Sequence, residues 1–231
     1  MTGRGPWLVS GGLVVVAGVL TSLASWRHWA GCRSDPRSAV CRTVAEQSDG
    51  LSLWGGAPTY DGLQTGAASV AAGLLVVAWV VVIGWSRGSV YRRLLAVVVG
   101  LQPLLVVALI GLVPQLRATG GGWLTWPAEV LVLPFLLGAG WALEDTAGHT
   151  IRLIVLGWAV TSFGPVHRFV DFALTTQASG VVADSPPGLG AVTAITQIGL
   201  GVGVVVMSML IDRAAGPDDD DGGRSGFTLA A

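Results

Sequence analysis

Long apolar blocks are the feature that most constrains the fold of this chain. Hydrophobic residues make up 52% of the sequence and charged residues 12%, and that charged share is about half of what a soluble domain carries. A bilayer core takes about 20 mainly apolar residues per helix. A helix satisfies its own backbone hydrogen bonds, so it is the spanning form that such blocks predict. The sequence therefore predicts an α-helical integral membrane protein surrounded by the lipid bilayer.

Six blocks have the length and composition of membrane spans. They are Trp7–Ser25, Ala67–Trp85, Leu94–Val113, Pro127–Leu143, Ile151–Phe172 and Pro186–Ile211. The pattern predicts an all-α, six-span transmembrane bundle over residues 1–215, with one long extracytoplasmic loop at 26–66. Residues 216–231 are predicted to form a disordered acidic cytoplasmic tail. Asp184 or Ser185 is in position to cap the last helix.

The orientation in the membrane depends on where the arginines lie. The positive-inside rule counts short connections most, and the short turn Ser86–Arg93 holds three arginines. We therefore expect a multi-pass protein of the cell membrane with both termini in the cytoplasm. An alternative for the first block is a signal peptide, since Arg4 and an apolar stretch precede the small-residue site Ser22-Leu23-Ala24.

The only two cysteines, Cys32 and Cys41, both lie in the predicted external loop. A pair of cysteines in an oxidising compartment normally forms a disulfide, so we expect a structural bond here. The alternative is thiol–disulfide exchange. Neighbouring Arg33 and Arg42 would favour that reaction, because positive charge stabilises a thiolate.

The residues around these cysteines form a longer pattern. It consists of Cys32, Asp35-Pro36, Cys41, Val44, Ser48, Trp54-Gly55 and Pro58. This pattern resembles the first periplasmic loop of vitamin K epoxide reductase homologues, over roughly 30 residues. Members of that family also need a Cys-x-x-Cys pair inside a later helix, beside the quinone. This chain has no further cysteine, so electrons have no route from the loop to a quinone and no function is carried across.

A second polar feature is predicted where the fourth and fifth spans meet the outer boundary. His167 and Asp171 are four residues apart and share a helix face, while Arg168 and Asp171 are three apart. Glu129 begins the fourth span and is expected to join them in a four-residue cluster. Ionisable groups at membrane depth often mark proton, ion or substrate sites. The alternative is a cluster of salt bridges in the headgroup layer.

Three further features predict helix packing. Gln102 precedes Pro103 in the middle of the third span, which predicts a kink. Gly199 and Gly203, spaced four apart in the last span, predict the close approach of another helix. Gln197 is expected to form a hydrogen bond between helices rather than to bind a ligand.

The sequence carries no recognisable catalytic motif. It lacks a phosphate loop, a dinucleotide fingerprint, a zinc-protease motif and a nucleophile elbow, so we predict no metal, no cofactor and no enzymatic activity. The net charge of −1 argues against a nucleic-acid partner. The leading hypothesis is a small-molecule or ion-handling component, or an accessory subunit of a cell-envelope complex with a membrane-protein partner. The alternative is a membrane redox protein using Cys32 and Cys41.

Overall fold

The computed structural model describes residues 4–47, 62–85, 147–163, 165–180 and 187–214, with isolated positions between 90 and 98. Every element in these ranges is helical. They are α1 (Arg4–His28), α2 (Ala39–Gln47), α3 (Gly62–Trp85), α4 (Ala147–Val160), α5 (Pro165–Ser179) and α6 (Ala191–Ala214), with 3-10 turns at Ala30–Cys32 and Thr161–Phe163. The predicted helical class is confirmed for this part of the chain. Most of the predicted span Leu94–Val113, all of Pro127–Leu143 and the predicted tail lie outside the described residues.

The long helices form an up-and-down bundle in which α1 packs along both α3 and α6. Helix α3 runs antiparallel to α1, since the Ser10 hydroxyl donates to the Ala78 carbonyl at 2.8 Å while Ala24, near the other end of α1, clusters with Ala67. Helix α4 begins at the same end as α1, because the Arg152 guanidinium lies 5.0 Å from the centre of the Trp7 ring. Helices α1 and α4 therefore run in one direction and α3 in the other.

Small residues let α1 and α6 approach closely. A Cβ added at Gly201 would lie 2.8 Å from the Val15 backbone nitrogen and 2.9 Å from the Gly11 carbonyl oxygen, and one at Gly18 would lie 3.0 Å from the Ala194 carbonyl. As the numbers rise along α1 they fall along α6, so these helices are also antiparallel. Their shared core holds the fully buried Val14, Ala17 and Val204.

The contact between α6 and α1 does not involve Gly199 and Gly203, so the helix approach predicted at these two glycines stays a prediction. No described atom lies within 4 Å of a Cβ added at Gly199 or Gly203. Positions two residues apart in a helix point to nearly opposite sides. The face that carries Gly201 packs on α1, so the face that carries Gly199 and Gly203 points away from α1.

Helices α1 and α6 are apolar outside and partly polar inside. The side chains of Ser10, Thr21, Gln197 and Ser208 are buried. Exposed apolar side chains include Val9, Val16, Val19 and Leu23 of α1 and Ile195, Val202, Val206, Met209 and Leu210 of α6. By length and composition, Arg4–His28 and Ala191–Leu210 are the two helices in the described ranges that could cross a membrane, and Val70–Trp85 and Thr150–Val160 are shorter apolar stretches.

The fifth predicted span, Ile151–Phe172, is not one continuous helix. Helix α4 ends at Val160, the 3-10 turn Thr161–Phe163 follows, and α5 begins at Pro165. Proline lacks the N–H that would continue the ladder of hydrogen bonds, and it disfavours helical geometry in the residue before it. It is also well suited to the first position of a new helix. The Gly164-Pro165 step therefore divides the predicted span into two helices.

Candidate functional site

Cys32 and Cys41 are joined in a small disulfide-bonded hairpin. Cys32 ends the first 3-10 turn and Cys41 lies in α2, and a disulfide bond links them. Both cysteines are buried, and Trp29, Val44 and Leu189 pack around them. Thiol exchange requires access of an attacking thiolate to one sulfur. Because these side chains enclose the disulfide bond, its surroundings are those of a structural crosslink.

The hairpin contacts the turn that precedes α6. The indole N–H of Trp29 and the hydroxyl of Ser25 both donate to the Leu189 carbonyl, each at 3.0 Å. Gly190 adopts a positive φ of 98° and packs so closely on Ser25 that an added Cβ would lie 3.2 Å from its side chain. The end of α1 therefore holds the turn at 187–190 in place from one side.

Asp171 holds the same turn from the other side. Its Oδ2 atom accepts hydrogen bonds from the Gly190 backbone N–H at 2.9 Å, the Thr193 backbone N–H at 3.0 Å and the Thr193 hydroxyl at 2.7 Å. The first N–H groups of a helix have no partner within it, and the positive end of the helix dipole attracts negative charge. Asp171 of α5 therefore caps α6. This is the role that the sequence suggested for Asp184 or Ser185, which lie outside the described residues.

A second polar contact lies one helical turn further along α6. The Gln197 side-chain amide donates to the Ser162 hydroxyl at 2.7 Å, with both side chains buried. The hydrogen bond between helices predicted for Gln197 is thus present. Ser162 lies in the 3-10 turn that separates α4 from α5, so the helix break supplies the partner for the α6 amide.

His167 lies between these two contacts along the chain. It is on α5, one turn before Asp171 and shortly after the helix break, and its ring stacks on Trp158 with 4.5 Å between ring centres. Its side chain is buried. Two hydrogen-bonded pairs, Asp171–Thr193 and Ser162–Gln197, join α6 to the segment that contains α4, the 3-10 turn and α5. We call these four residues and His167 the polar column.

The polar column differs in membership from the cluster expected from the sequence. His167 and Asp171 are both in the column and both face the interior of the bundle. Glu129 and the side chain of Arg168 lie outside the described residues, as do Gln102 and Pro103. Within the described ranges, Asp171 makes its contacts across to α6 through backbone and hydroxyl donors.

Two acceptor atoms of the polar column are buried and have no hydrogen-bond partner among the described residues. They are Oδ1 of Asp171 and Oε1 of Gln197. The two residues are 1% and 0% exposed, respectively. An unsatisfied buried polar atom normally costs about 1–3 kcal/mol, more for a charged group, and such atoms are uncommon in folded proteins. These two atoms mark the polar column as the candidate functional site.

No group of three or more His, Cys, Asp or Glu side chains suited to a metal ion occurs within the described part of the chain. The column instead combines one carboxylate with an amide, hydroxyls and an imidazole.

The sequence patterns did not identify Ser162 or Thr193 as site residues. The one local signal for Ser162 was the Gly164-Pro165 step, which ends a helix just beyond it. No local signal shows that Thr193 lies against Asp171, since the two are 22 residues apart and on different helices.

Comparisons of the whole chain with protein-family models, with curated proteins and with solved structures gave no match. The fold and the polar column are therefore the basis for a functional proposal.

Proposed function

We propose that this chain is a six-span protein of the cell membrane that handles a small molecule or ion at the polar column. The observation that carries the proposal is the buried Asp171, which caps α6 with one carboxylate oxygen and leaves the other without a described partner. Ionisable side chains within a membrane bundle are costly and are found mainly where they serve a function.

The outer surface of the helices supports the membrane assignment. Between Val9 and Val19 of α1 and between Ile195 and Leu210 of α6, the exposed large side chains are valine, isoleucine, leucine and methionine, whereas Ser10, Gln197 and Ser208 are buried. A water-facing surface carries charged residues at such positions. Polar side chains between helices are typical of membrane bundles, because lipid offers them no hydrogen bonds.

The directions of the helices support an even number of spans. Helix α6 is antiparallel to α1, so the first residues of α1 and the last residues of α6 lie on the same side of the bundle. Helix α3 ends where α1 begins, and α4 begins at that end as well. Two crossings by the predicted spans Leu94–Val113 and Pro127–Leu143 fit this arrangement, with both termini in the cytoplasm.

The break between α4 and α5 supports the placement of the site. Interrupted helices free backbone groups, and in a membrane these are tolerated where protein or water satisfies them. Binding sites of membrane transporters are commonly built at such interruptions, with helix ends directed at the ligand. Here the break lies beside Gln197, and the start of α6 lies against Asp171.

The thiol–disulfide alternative receives no comparable support. The bonded cysteines are enclosed by Trp29, Val44 and Leu189, and the hairpin contacts the turn before α6. These contacts suit a structural element that fixes the end of the bundle near the polar column.

Site-directed thiol labelling tests whether the polar column is reached from water. The two native cysteines are bonded to each other, so an introduced cysteine is the only free thiol of the chain. We expect Ser162→Cys, a near-isosteric change, to react within minutes with a small charged methanethiosulfonate reagent added to intact membranes. The reason is that a site that handles solutes must open to water during its cycle.

Matched positions provide the controls. Val160→Cys, two residues away in the apolar core and 0% exposed, should stay unreactive. Val19→Cys, 55% exposed on the outer face of α1, should also stay unreactive because lipid excludes a charged reagent. If Ser162→Cys is as inert as Val160→Cys, the column is a sealed structural contact. Rapid reaction of Val19→Cys would contradict the membrane assignment itself.

A further inference from the structure

The two unpartnered atoms of the polar column have the same hydrogen-bonding character. Oδ1 of Asp171 and Oε1 of Gln197 are both acceptors. Four donors beside them are engaged elsewhere: the Thr193 hydroxyl and the Gly190 and Thr193 backbone N–H groups donate to Oδ2 of Asp171, and the Gln197 amide nitrogen donates to Ser162. A ligand that completes this site must therefore supply hydrogen-bond donors or positive charge.

The two atoms belong to neighbouring levels of the bundle. Asp171 is bonded to Thr193, and Gln197 lies four residues further along α6, a rise of about 6 Å. Thr193 and Gln197 are therefore on the same face of α6, one turn apart. The Ser162 and Thr193 hydroxyl oxygens lie at the same two levels and offer further lone pairs.

We propose that the polar column binds a monovalent cation, either an alkali ion or a small protonated amine, with Asp171 as its counter-charge and Gln197 as a neutral oxygen ligand. The proposal rests on the proposed function, because the ligand must reach the column from water. One carboxylate balances one positive charge in a buried site. Divalent ions generally take a larger set of oxygen ligands, with more carboxylates or retained water, and the described residues hold no such acidic group. An anion would be repelled by the Asp171 carboxylate and by the two acceptor oxygens.

Thermal unfolding of the purified full-length protein in detergent tests the proposal. Sodium, potassium and methylammonium chloride are each titrated at constant ionic strength against N-methylglucamine chloride, whose cation is far larger than the other three. We expect at least one small cation to raise Tm saturably, by about 5 °C or more at roughly 100 times its Kd. The arm that responds distinguishes an alkali ion from a protonated amine.

Three variants locate the effect. Asp171→Asn removes the charge but keeps a good capping side chain, and it should abolish the rise in Tm. Gln197→Leu removes the second acceptor at similar volume and should weaken the apparent affinity at least tenfold. Ser208→Ala deletes another buried hydroxyl of α6, bonded to the Val204 carbonyl, and should respond like the wild type.

The possible outcomes separate this inference from the proposed function. If Ser162→Cys is labelled from water but no small cation raises Tm, the cation assignment is overturned while a solute site remains. If Ser162→Cys is not labelled and no small cation raises Tm, both the proposed function and the cation assignment are overturned. A rise in Tm that persists in both Asp171→Asn and Gln197→Leu places the cation elsewhere and also overturns the inference. If Asp171→Asn does not fold, Gln197→Leu against Ser208→Ala decides the question.

Discussion

Replacement of Gly201 by alanine tests the close packing of α1 on α6. The added Cβ would lie 2.8 Å from both the Val15 nitrogen and the Val15 Cγ2 atom, and 2.9 Å from the Gly11 oxygen, where ordinary contact begins at 3.4 Å. Two of these neighbours are backbone atoms, so a rotamer change cannot relieve the overlap. The helices must separate by about 0.5 Å, and overpacking of this kind costs about 1–3 kcal/mol. Alanine recovers about 1 kcal/mol through its higher helix propensity, which leaves a net loss of about 0–2 kcal/mol, or about 1–3 kcal/mol relative to the same substitution at an unpacked position of α6.

Gly203→Ala is the matched control, because it lies one half-turn away on the same helix with no described atom within 4 Å of the new Cβ. It should leave the free energy of unfolding unchanged or raise it by up to about 1 kcal/mol. Both variants are purified in detergent and unfolded by titration with sodium dodecyl sulfate, with helical circular dichroism as the signal. Equal stability of Gly201→Ala and Gly203→Ala would refute the reasoning, since the two changes differ only in which face of α6 receives the methyl group.

Three further predictions follow from the contacts of the polar column, the hairpin and the termini. Asp171→Ala should lower the free energy of unfolding by about 1–3 kcal/mol, because α6 loses its cap. Asp171→Asn should retain most of the wild-type stability, since asparagine also caps helices. Equal losses of stability in thermal unfolding would argue against the capping role. Maleimide should label Cys32 and Cys41 in intact cells only after reduction, and prompt labelling without reductant would exclude a stable disulfide. Replacement of both cysteines by serine should lower the free energy of unfolding by about 2–3 kcal/mol, because the disulfide closes a short loop. Reporter fusions after Arg93 and Gly222 should both report the cytoplasm, and an extracytoplasmic signal at Arg93 would reverse the topology.

Some features of this protein were predictable because they depend on residues close together in the chain. Helix formation in apolar blocks depends on local hydrogen bonding, and α1, α3 and α6 include the cores of the spans expected at 7–25, 67–85 and 186–211. The disulfide was predictable because Cys32 and Cys41 are the two cysteines of the sequence and have no other partner in the chain. His167 and Asp171 were expected on one helix face because four residues complete about one turn.

Other features were wrongly or incompletely predicted because local patterns compete. The apolar run Ile151–Phe172 is long enough for one span, yet Gly164-Pro165 interrupts it between α4 and α5. A hydropathy average over the run does not detect the one backbone N–H that Pro165 lacks. In α6, the spacing of Gly199 and Gly203 predicts one packing face, but it did not indicate the contact that the structure shows, in which α1 packs on the opposite side at Gly201.

The amino-acid sequence by itself determined that the apolar blocks form helices, that the cysteines pair and that few charges lie within those blocks, because these follow from local backbone bonding and composition. The tertiary structure alone decided that Asp171 caps a helix beginning 20 residues later, that Gln197 meets Ser162 and that two acceptor oxygens stay buried without a described partner. Which helix faces meet depends on the summed packing of all the helices. Contacts between residues distant in sequence therefore leave no periodicity in the chain from which the polar column could have been recognised.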